Sequence, residues 1–135
     1  MNTLEPGPKG KVEIVVAEEH TAPHVGSGRV HVLATPVMVN LMEAAALQAV
    51  EGLLPAGHQT VGTHLDITHT AATPVGMRVR AYAEVTKVDK RTLTFNVYAE
   101  DDKERIGGGI HERIIINLER FDARMQEKLG LLPKA

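Results

Sequence analysis

The chain lacks cysteine and tryptophan, and its 135 residues include only two phenylalanines and two tyrosines. Without cysteine there is no disulfide framework, no thiolate nucleophile and no thiolate metal site. With so few aromatic rings there is little surface on which nucleic-acid bases could stack. Fifteen basic residues face 17 acidic ones, and the two signs interleave along the chain. This charge pattern predicts neither nucleic-acid binding nor membrane-surface binding.

Long apolar runs are also missing. No run reaches the roughly 18 apolar residues of a membrane helix. The start, MNTLEPGPKGK, has no apolar stretch of the kind found in a signal peptide. We therefore expect a cytoplasmic protein. The length fits one domain over residues 1–135, and an apolar content of 43% with few aromatics predicts an aliphatic core.

The strongest local signal is a helix within ATPVMVNLMEAAALQAVEGLLPAG. Thr35 is a suitable N-cap, Pro36 fits the first helical position, and Gly52 or Gly57 marks the end. The pattern predicts a helix from residue 36 to about residue 53. It is apolar almost throughout, which is typical of a buried helix. The polar exceptions are Asn40, Glu43, Gln48 and Glu51.

Strand-like patterns flank this helix. A first strand is predicted around residues 12–16, and four later strands at 60–70, 76–88, 91–100 and 105–118, with turn signals between them. A short helix, LERFDARMQEKLG, closes the chain. The later strands alternate apolar and polar residues, as antiparallel sheets with one covered face do. We predict an α+β fold in which a five-stranded antiparallel sheet wraps around the long central helix.

One of these strands carries a histidine on its apolar face. In THLDITHTAAT, residues 63–73, His69 falls on the side of the aliphatic residues, because strand side chains alternate between the two faces. His64 and Asp66 fall on the other side. The residues predicted to share the face of His69 are Val61, Thr63, Leu65 and Ile67.

Buried polar groups need partners, and the helix offers two for His69. Thr35 and Glu43 are eight residues apart, about 12 Å along a helix axis, so an imidazole between them could touch both. A carboxylate would then orient the imidazole, the imidazole would activate a hydroxyl or a water, and helix N-terminal amides would receive an oxyanion. Simpler explanations stay open: Thr35 as a helix cap only, Glu43 as a surface carboxylate, and His69 as a core or interface histidine.

A glycine-rich segment, GGGIHERIII at residues 107–116, has no strand-to-helix transition after it and so is a poor phosphate loop. Its glycines permit a bend, a bulge or the close approach of another backbone or ligand. His111 and Arg113 lie on the same face as Gly107 and Gly109, and we expect that face to be solvated.

The sequence resembles the hotdog-fold acyl-CoA thioesterases, and most of all the fluoroacetyl-CoA thioesterase family. Three segments carry the resemblance: ATPVMVNLMEAAA, VGTHLDITHTAATPVGMRV and IGGGIHERIIINLERFDARMQEKL. With the strands between them they span roughly residues 30–128. The resemblance implies a hotdog fold and a homodimer whose sheets join edge to edge, with acyl-CoA bound near the interface. It implies no metal and no dissociable cofactor, and it leaves open whether dimers pair into tetramers.

The resemblance also implies site residues. The catalytic positions of the family fall on Thr35, Glu43 and His69, and its substrate-binding positions on Gly76 and Arg113. In the fluoroacetyl-specific enzyme, phenylalanines ahead of the catalytic threonine cover the acyl group, whereas this chain has Gly26 and Arg29 there. We expect hydrolysis of a small or medium acyl-CoA thioester to the free acid and CoA, with the acyl group left open. The alternatives are a hotdog enoyl-CoA hydratase or dehydratase, and a non-catalytic dimer that binds acyl-CoA or another small ligand.

Overall fold

The structure is a computed structural model that describes residues 4–131. Its five strands form one antiparallel sheet in the order β1-β3-β4-β5-β2. The strands are β1 (Lys9–Val15), β2 (His58–His69), β3 (Arg78–Asp89), β4 (Thr92–Asp101) and β5 (Arg105–Asn117). The helices are α1 (Ala22–Val25), the long α2 (Thr35–Glu51) and α3 (Leu118–Lys128), with a 3-10 turn at Glu18–His20. The predicted architecture of a five-stranded antiparallel sheet, a long helix and a short closing helix is confirmed.

The core forms where the apolar face of the sheet meets α2. Alternate residues of β4 are buried, and they pack with the apolar side of the helix and with β3. Alanines on α2 allow the backbones to approach closely. At Gly10 of β1, an added methyl group would overlap the backbone of Ala45, so only glycine fits there. The fully buried larger side chains of this core include Met38, Met42, Val79, Val85, Leu93 and Phe95.

Helix α2 does not cover the whole concave face of the sheet. It packs mainly on β1 and β3, and touches β4 and β2 much less. The side of the face formed by β5 and β2 is therefore less covered. Leu65, which lies on that side, is 43% exposed although its side chain points inward. Strand β2 is also a sheet edge, with β5 as its only strand neighbour among residues 4–131.

The start of α2 differs from the prediction. Ala34 is the N-cap, Thr35 is the first helical residue and Pro36 follows it. The prediction that Thr35 caps the helix is wrong, because its hydroxyl makes no cap hydrogen bond and is engaged with His69 instead. The expected end near residue 53 is close to the observed end at Glu51.

A bulge in β2 changes which residues face the helix. The pairing with β5 shifts between Gly62 and His64, which leaves Thr63 as an extra residue. Beyond the bulge, His69 shares the inward face with Leu65 and Ile67, as predicted. Before the bulge the parity is reversed, so the prediction that Val61 shares that face is wrong.

His111 and Arg113 of β5 are buried, and the expectation of a solvated face there is wrong. Both side chains point to the helix side, opposite Leu65 and Gly62 of β2. Arg113 is tolerated inside because its guanidinium finds acceptors and a carboxylate nearby. No helix within residues 4–131 is long and apolar enough to cross a membrane.

Candidate active site

Thr35 and His69 meet at one end of the sheet. The Thr35 hydroxyl lies 2.7 Å from His69 Nδ1, within hydrogen-bond distance. Helix α2 supplies Thr35 from its first turn, and β2 supplies His69 from its last residue. If the hydroxyl donates to Nδ1, the imidazole is positioned to remove the proton of that hydroxyl.

A cavity of about 310 Å³ opens beside this pair. Arg29 is the one cationic side chain among its lining residues, and His69 the one ring. A second cavity of about 680 Å³ shares Ser27, Gly28 and Arg29 with the first, so the two adjoin along the loop before α2. Cavities of this size are typical of small-molecule sites. The other residues lining the first cavity are Ala22, Val30, Val32, Leu33, Thr70, Ala71 and Ala72.

One ring nitrogen of His69 has no hydrogen-bond partner among the described residues. Burial lowers its pKa below the usual value, and the backbone of Ala71 acts in the opposite direction. A neutral imidazole whose Nδ1 accepts from Thr35 carries its proton on Nε2. His69 Nε2 is buried and has no hydrogen-bond partner among the described residues. Leaving a buried donor unpaired costs about 1–3 kcal/mol, so this nitrogen requires an acceptor.

Glu43 of α2 lies beside a different part of β2. Its carboxylate Oε2 would be 2.8 Å from a Cβ atom added at Gly62, seven residues before His69. At roughly 3.3 Å per strand residue, Gly62 and His69 are about 20 Å apart along β2, so Glu43 lies well away from His69 of the same chain. The structure therefore brings Thr35 and His69 together, and does not bring Glu43 to them within the same chain.

Glu43 is held by a buried polar cluster. Arg113 Nη1 lies 3.5 Å from Glu43 Oε2 and 3.1 Å from His111 Nε2. The same guanidinium donates from Nε to the Thr60 hydroxyl at 2.8 Å and from Nη2 to the Thr60 carbonyl at 3.1 Å. Only 8% of the Arg113 side chain is exposed. Its donors are thus directed at the protein interior, and it does not line the cavity beside Thr35.

Gly76 and Gly62 differ in what surrounds them, and only Gly62 lies beside the polar cluster of Glu43 and Arg113. Gly76, which the resemblance suggested as a substrate-binding position, lies in the turn before β3 with φ +97° and has nothing within 4 Å of an added Cβ atom. It does not line the cavity beside Thr35 and His69. Gly62 was not predicted, yet it adjoins Glu43, His111 and Arg113. An isolated glycine inside a strand pattern often marks a bulge or a close approach, and that signal was present at Gly62.

The start of α2 offers few free amides to an oxyanion. Pro36 has no N–H, and the amides of Val37 and Met38 both donate to the Ala34 carbonyl at 3.1 Å. An oxyanion would therefore need the Thr35 amide or a donor from outside the helix.

Solved structures first define the class. A hot-dog-like protein from Thermanaerovibrio acidaminovorans superposes with a TM-score of 0.84 at 18% identity, covering 93% of each chain, which shows the fold. A Thermus thermophilus hypothetical protein of the thioesterase superfamily matches with a TM-score of 0.87 at 29% identity, covering 98% of this chain and all of that one. The fold is that of the hotdog thioesterases.

Closer matches narrow the class to a family. Residues 16–119 match the sequence profile of the fluoroacetyl-CoA-specific thioesterases, FlK. The fluoroacetyl-CoA thioesterase of Streptantibioticus cattleyicolor is 44% identical over 97 residues, which is 72% of this chain and 70% of that protein. The solved structure of the fluoroacetyl-CoA thioesterase FlK has a TM-score of 0.87 at 36% identity and covers 94% of this chain and 98% of its own. This chain belongs to the fluoroacetyl-CoA-specific thioesterase family, whose members are thioester hydrolases.

Proposed function

We propose that this chain is a homodimeric thioesterase that hydrolyses a small or medium acyl-CoA to the free acid and CoA. Thr35, His69 and Glu43 would be its catalytic residues. The observation that carries the proposal is the 2.7 Å contact between the Thr35 hydroxyl and His69 Nδ1 at the edge of a cavity. The cytoplasmic location expected from the sequence stays a prediction.

The reaction follows from this contact. His69 Nδ1 takes the proton of Thr35, and Oγ1 attacks the thioester carbonyl. The carbon–sulfur bond breaks, and the CoA sulfur leaves as a thiol after receiving the proton from the imidazolium. A water then loses a proton to the same nitrogen and attacks the Thr35 ester, which releases the acid and restores the hydroxyl. In this scheme Thr35, not water, is the first nucleophile, because its oxygen already occupies the hydrogen-bond position on Nδ1.

The carboxylate of this scheme would come from a second copy of the chain. Glu43 of the same chain lies beside Gly62, which is about 20 Å from His69 along β2, so its carboxylate does not contact that imidazole. His69 Nε2 nevertheless lacks an acceptor among residues 4–131. Glu43 of the partner subunit would stabilise the imidazolium that forms during the reaction, and it would contact Nε2 once the side chains that bury this nitrogen rearrange on dimerisation.

The edge of β2 supports such a pairing. Twelve residues of β2 leave one edge without a strand neighbour in residues 4–131, and an open edge of this length readily pairs with another strand. A two-fold axis would make the two β2 strands antiparallel. With that axis between Leu65 and Asp66, the His69 end of one strand would lie about 5 Å from the Gly62 region of the other, where the partner's Glu43 is held. The exposed Leu65 would be covered in the same contact.

The residues that line the cavity indicate which acyl group the chain accepts. Its walls near Thr35 are valines, leucine, small residues and Arg29, with no phenylalanine or tyrosine. The family is named for fluoroacetyl-CoA, and FlK has been solved with fluoroacetate as a threonine-to-alanine variant and with acetyl-CoA as a threonine-to-serine variant. We propose a short acyl thioester as substrate, without a requirement for fluorine.

A thiol-release assay over short, halogenated, branched, aromatic and long acyl-CoAs tests this function. We expect CoA release from short acyl-CoAs in the wild type, and loss of most of it in Thr35→Val. Thr35→Ser should retain activity, because it keeps the hydroxyl. An acyl adduct on Thr35 detected by mass spectrometry after rapid quenching would support the covalent step.

Two outcomes of this assay would contradict the proposal. A change in enoyl absorbance without thiol release would indicate a hydratase. Saturable binding without turnover over the whole panel would indicate a non-catalytic binding protein.

A further inference from the structure

One buried group, the imidazole of His111, has no part in the reaction proposed above. His111 is fully buried on β5, stacked near Phe95 with ring centroids 5.9 Å apart. Nothing in the proposed reaction uses it directly, since it does not line the cavity beside Thr35. Buried histidines without a structural partner are costly, so its contacts indicate what it does.

Both ring nitrogens of His111 are engaged, and their partners fix its tautomer. Nδ1 lies 2.8 Å from the His64 carbonyl, which can only accept, so Nδ1 carries the proton. Nε2 then has a free lone pair and accepts from Arg113 Nη1 at 3.1 Å. Burial lowers the pKa of His111, the His64 carbonyl raises it, and the charge of Arg113 lowers it. The neutral ring with its proton on Nδ1 fits both contacts.

The same Arg113 nitrogen that meets His111 also faces Glu43. Arg113 Nη1 is 3.5 Å from Glu43 Oε2, while Nε and Nη2 are fixed on Thr60. The guanidinium is planar, so fixing three of its contacts fixes the direction of the fourth. His64 also lies directly after the β2 bulge. The chain of contacts therefore runs from the bulge of the edge strand through His111 and Arg113 to the Glu43 carboxylate.

We infer that His111 is a positioning residue, which sets the Glu43 carboxylate through Arg113 and ties that carboxylate to the β2 edge. The inference rests on the proposed function, in which this Glu43 serves His69 of the partner subunit. Arg113 is likewise a positioning residue in this network, because its donors point at Thr60, His111 and Glu43.

Three variants separate the two hydrogen bonds of His111. His111→Gln keeps an acceptor near the position of Nε2 for Arg113. His111→Asn keeps a donor near Nδ1 for the His64 carbonyl and loses that acceptor. His111→Phe keeps the ring and loses both. If His111 acts through Arg113, kcat should fall about tenfold in the Asn and Phe variants with KM little changed, and the Gln variant should recover most of the rate.

A double-mutant cycle with Glu43→Gln gives the decisive comparison. In Glu43→Gln the carboxylate that His111 would position is absent. His111→Asn should therefore lower kcat when Glu43 is present and should not lower it in the Glu43→Gln variant. The acid limb of the kcat/KM profile should also move to lower pH in His111→Asn, because a less well-placed carboxylate stabilises the His69 imidazolium less. A purely structural role would lower the melting temperature without moving this limb.

The outcomes distinguish this inference from the proposed function. Full activity in Glu43→Gln would overturn the carboxylate assignment and with it the role of His111. A low rate in Glu43→Gln, combined with equal rates in the Asn and Gln variants of His111, would overturn the inference alone. Rates that follow the melting temperatures of the three variants would do the same. If His111→Phe does not fold, the Asn and Gln pair still provides the comparison.

Discussion

Two regions of β2, its end at His69 and the stretch around Gly62 (called here the Gly62 end), differ in how many of the polar groups beside them have hydrogen-bond partners. At the His69 end the pair with Thr35 is open to a cavity, and Nε2 has no partner among residues 4–131. At the Gly62 end, Arg113 is buried and contacts Thr60, His111 and Glu43. The first lacks a carboxylate, and the second has one, Glu43, 3.5 Å from the buried Arg113 guanidinium. The contrast is what the proposed function explains: each region would be half of a site, and an antiparallel pair of β2 strands would join a half from each chain.

The largest loss of activity should come from removing the imidazole of His69. His69→Ala removes the proposed base, and we expect kcat/KM for any accepted acyl-CoA to fall by about 10² or more, the usual scale of general-base catalysis. His64→Ala is the matched control on the same strand, because its exposed side chain is on the opposite face and only its backbone carbonyl meets His111. Thiol release under steady-state conditions measures both. An unchanged rate in His69→Ala would exclude it as the base.

A smaller loss of activity should come from adding a methyl group at Gly62, beside the Glu43 carboxylate. A methyl group at residue 62 would lie 2.8 Å from Glu43 Oε2, so Gly62→Ala should displace the carboxylate and lower kcat by about tenfold. Gly52→Ala is the control, since nothing lies within 4 Å of a methyl group there. If the two alanine variants have equal kcat values, the position of Glu43 does not matter to the reaction.

Low pH should lower the stability of the folded chain, because His111 is buried in its neutral form near Gly62. Its pKa is lowered in the folded chain, whereas the unfolded value is about 6.5, so the unfolded state binds the proton first as pH falls. Above about pH 6.5 the ring is neutral in both states and does not make the free energy of unfolding depend on pH. Below about pH 6.5 the free energy of unfolding falls, by up to about 1.4 kcal/mol per pH unit, because the unfolded state takes up the proton more readily. Melting temperatures between about pH 7.5 and 5 should fall, and fall less steeply in His111→Gln. An equal slope in that variant would assign the acid sensitivity to other groups.

The smallest effect concerns the acyl group at the His69 end. The cavity wall is aliphatic with Arg29 and has no aromatic side chain other than His69, so it offers little to distinguish fluorine from hydrogen. We expect kcat/KM values for fluoroacetyl-CoA and acetyl-CoA within about tenfold of each other. Competition between the two substrates measures the ratio directly. A preference above about a hundredfold for fluoroacetyl-CoA would show that this wall discriminates by another route.

Much of the fold follows from the sequence because its signals are local. Alternation in β3 and β4 predicted their buried residues, and the apolar pattern of α2 predicted a helix inside the sheet. His69 was found because a histidine interrupts the apolar alternation after Leu65 and Ile67. These features depend only on periodicity within one element.

The remainder of the site depends on contacts between elements. The bulge after Gly62 reverses the parity of β2, and counting alternate residues cannot detect it. His111 and Arg113 are polar and were expected in solvent, but Thr60 and Glu43, distant in sequence, satisfy them inside. The helix axis placed Thr35 and Glu43 about 12 Å apart, which suggested one imidazole between them. Strand β2 instead separates Glu43 from His69 of the same chain.

Mixed dimers test most directly whether the site is shared between two chains. One chain carries His69→Ala and the other Glu43→Gln, each inactive or nearly so by itself, and the two are co-refolded or co-expressed in equal amounts. In a shared site, each mixed dimer has one site with His69 of one chain and Glu43 of the other both intact. Random mixing should then restore about a quarter of the wild-type rate. If activity stays at the level of the separate variants while mixed dimers are shown to form, Glu43 does not serve the partner's His69.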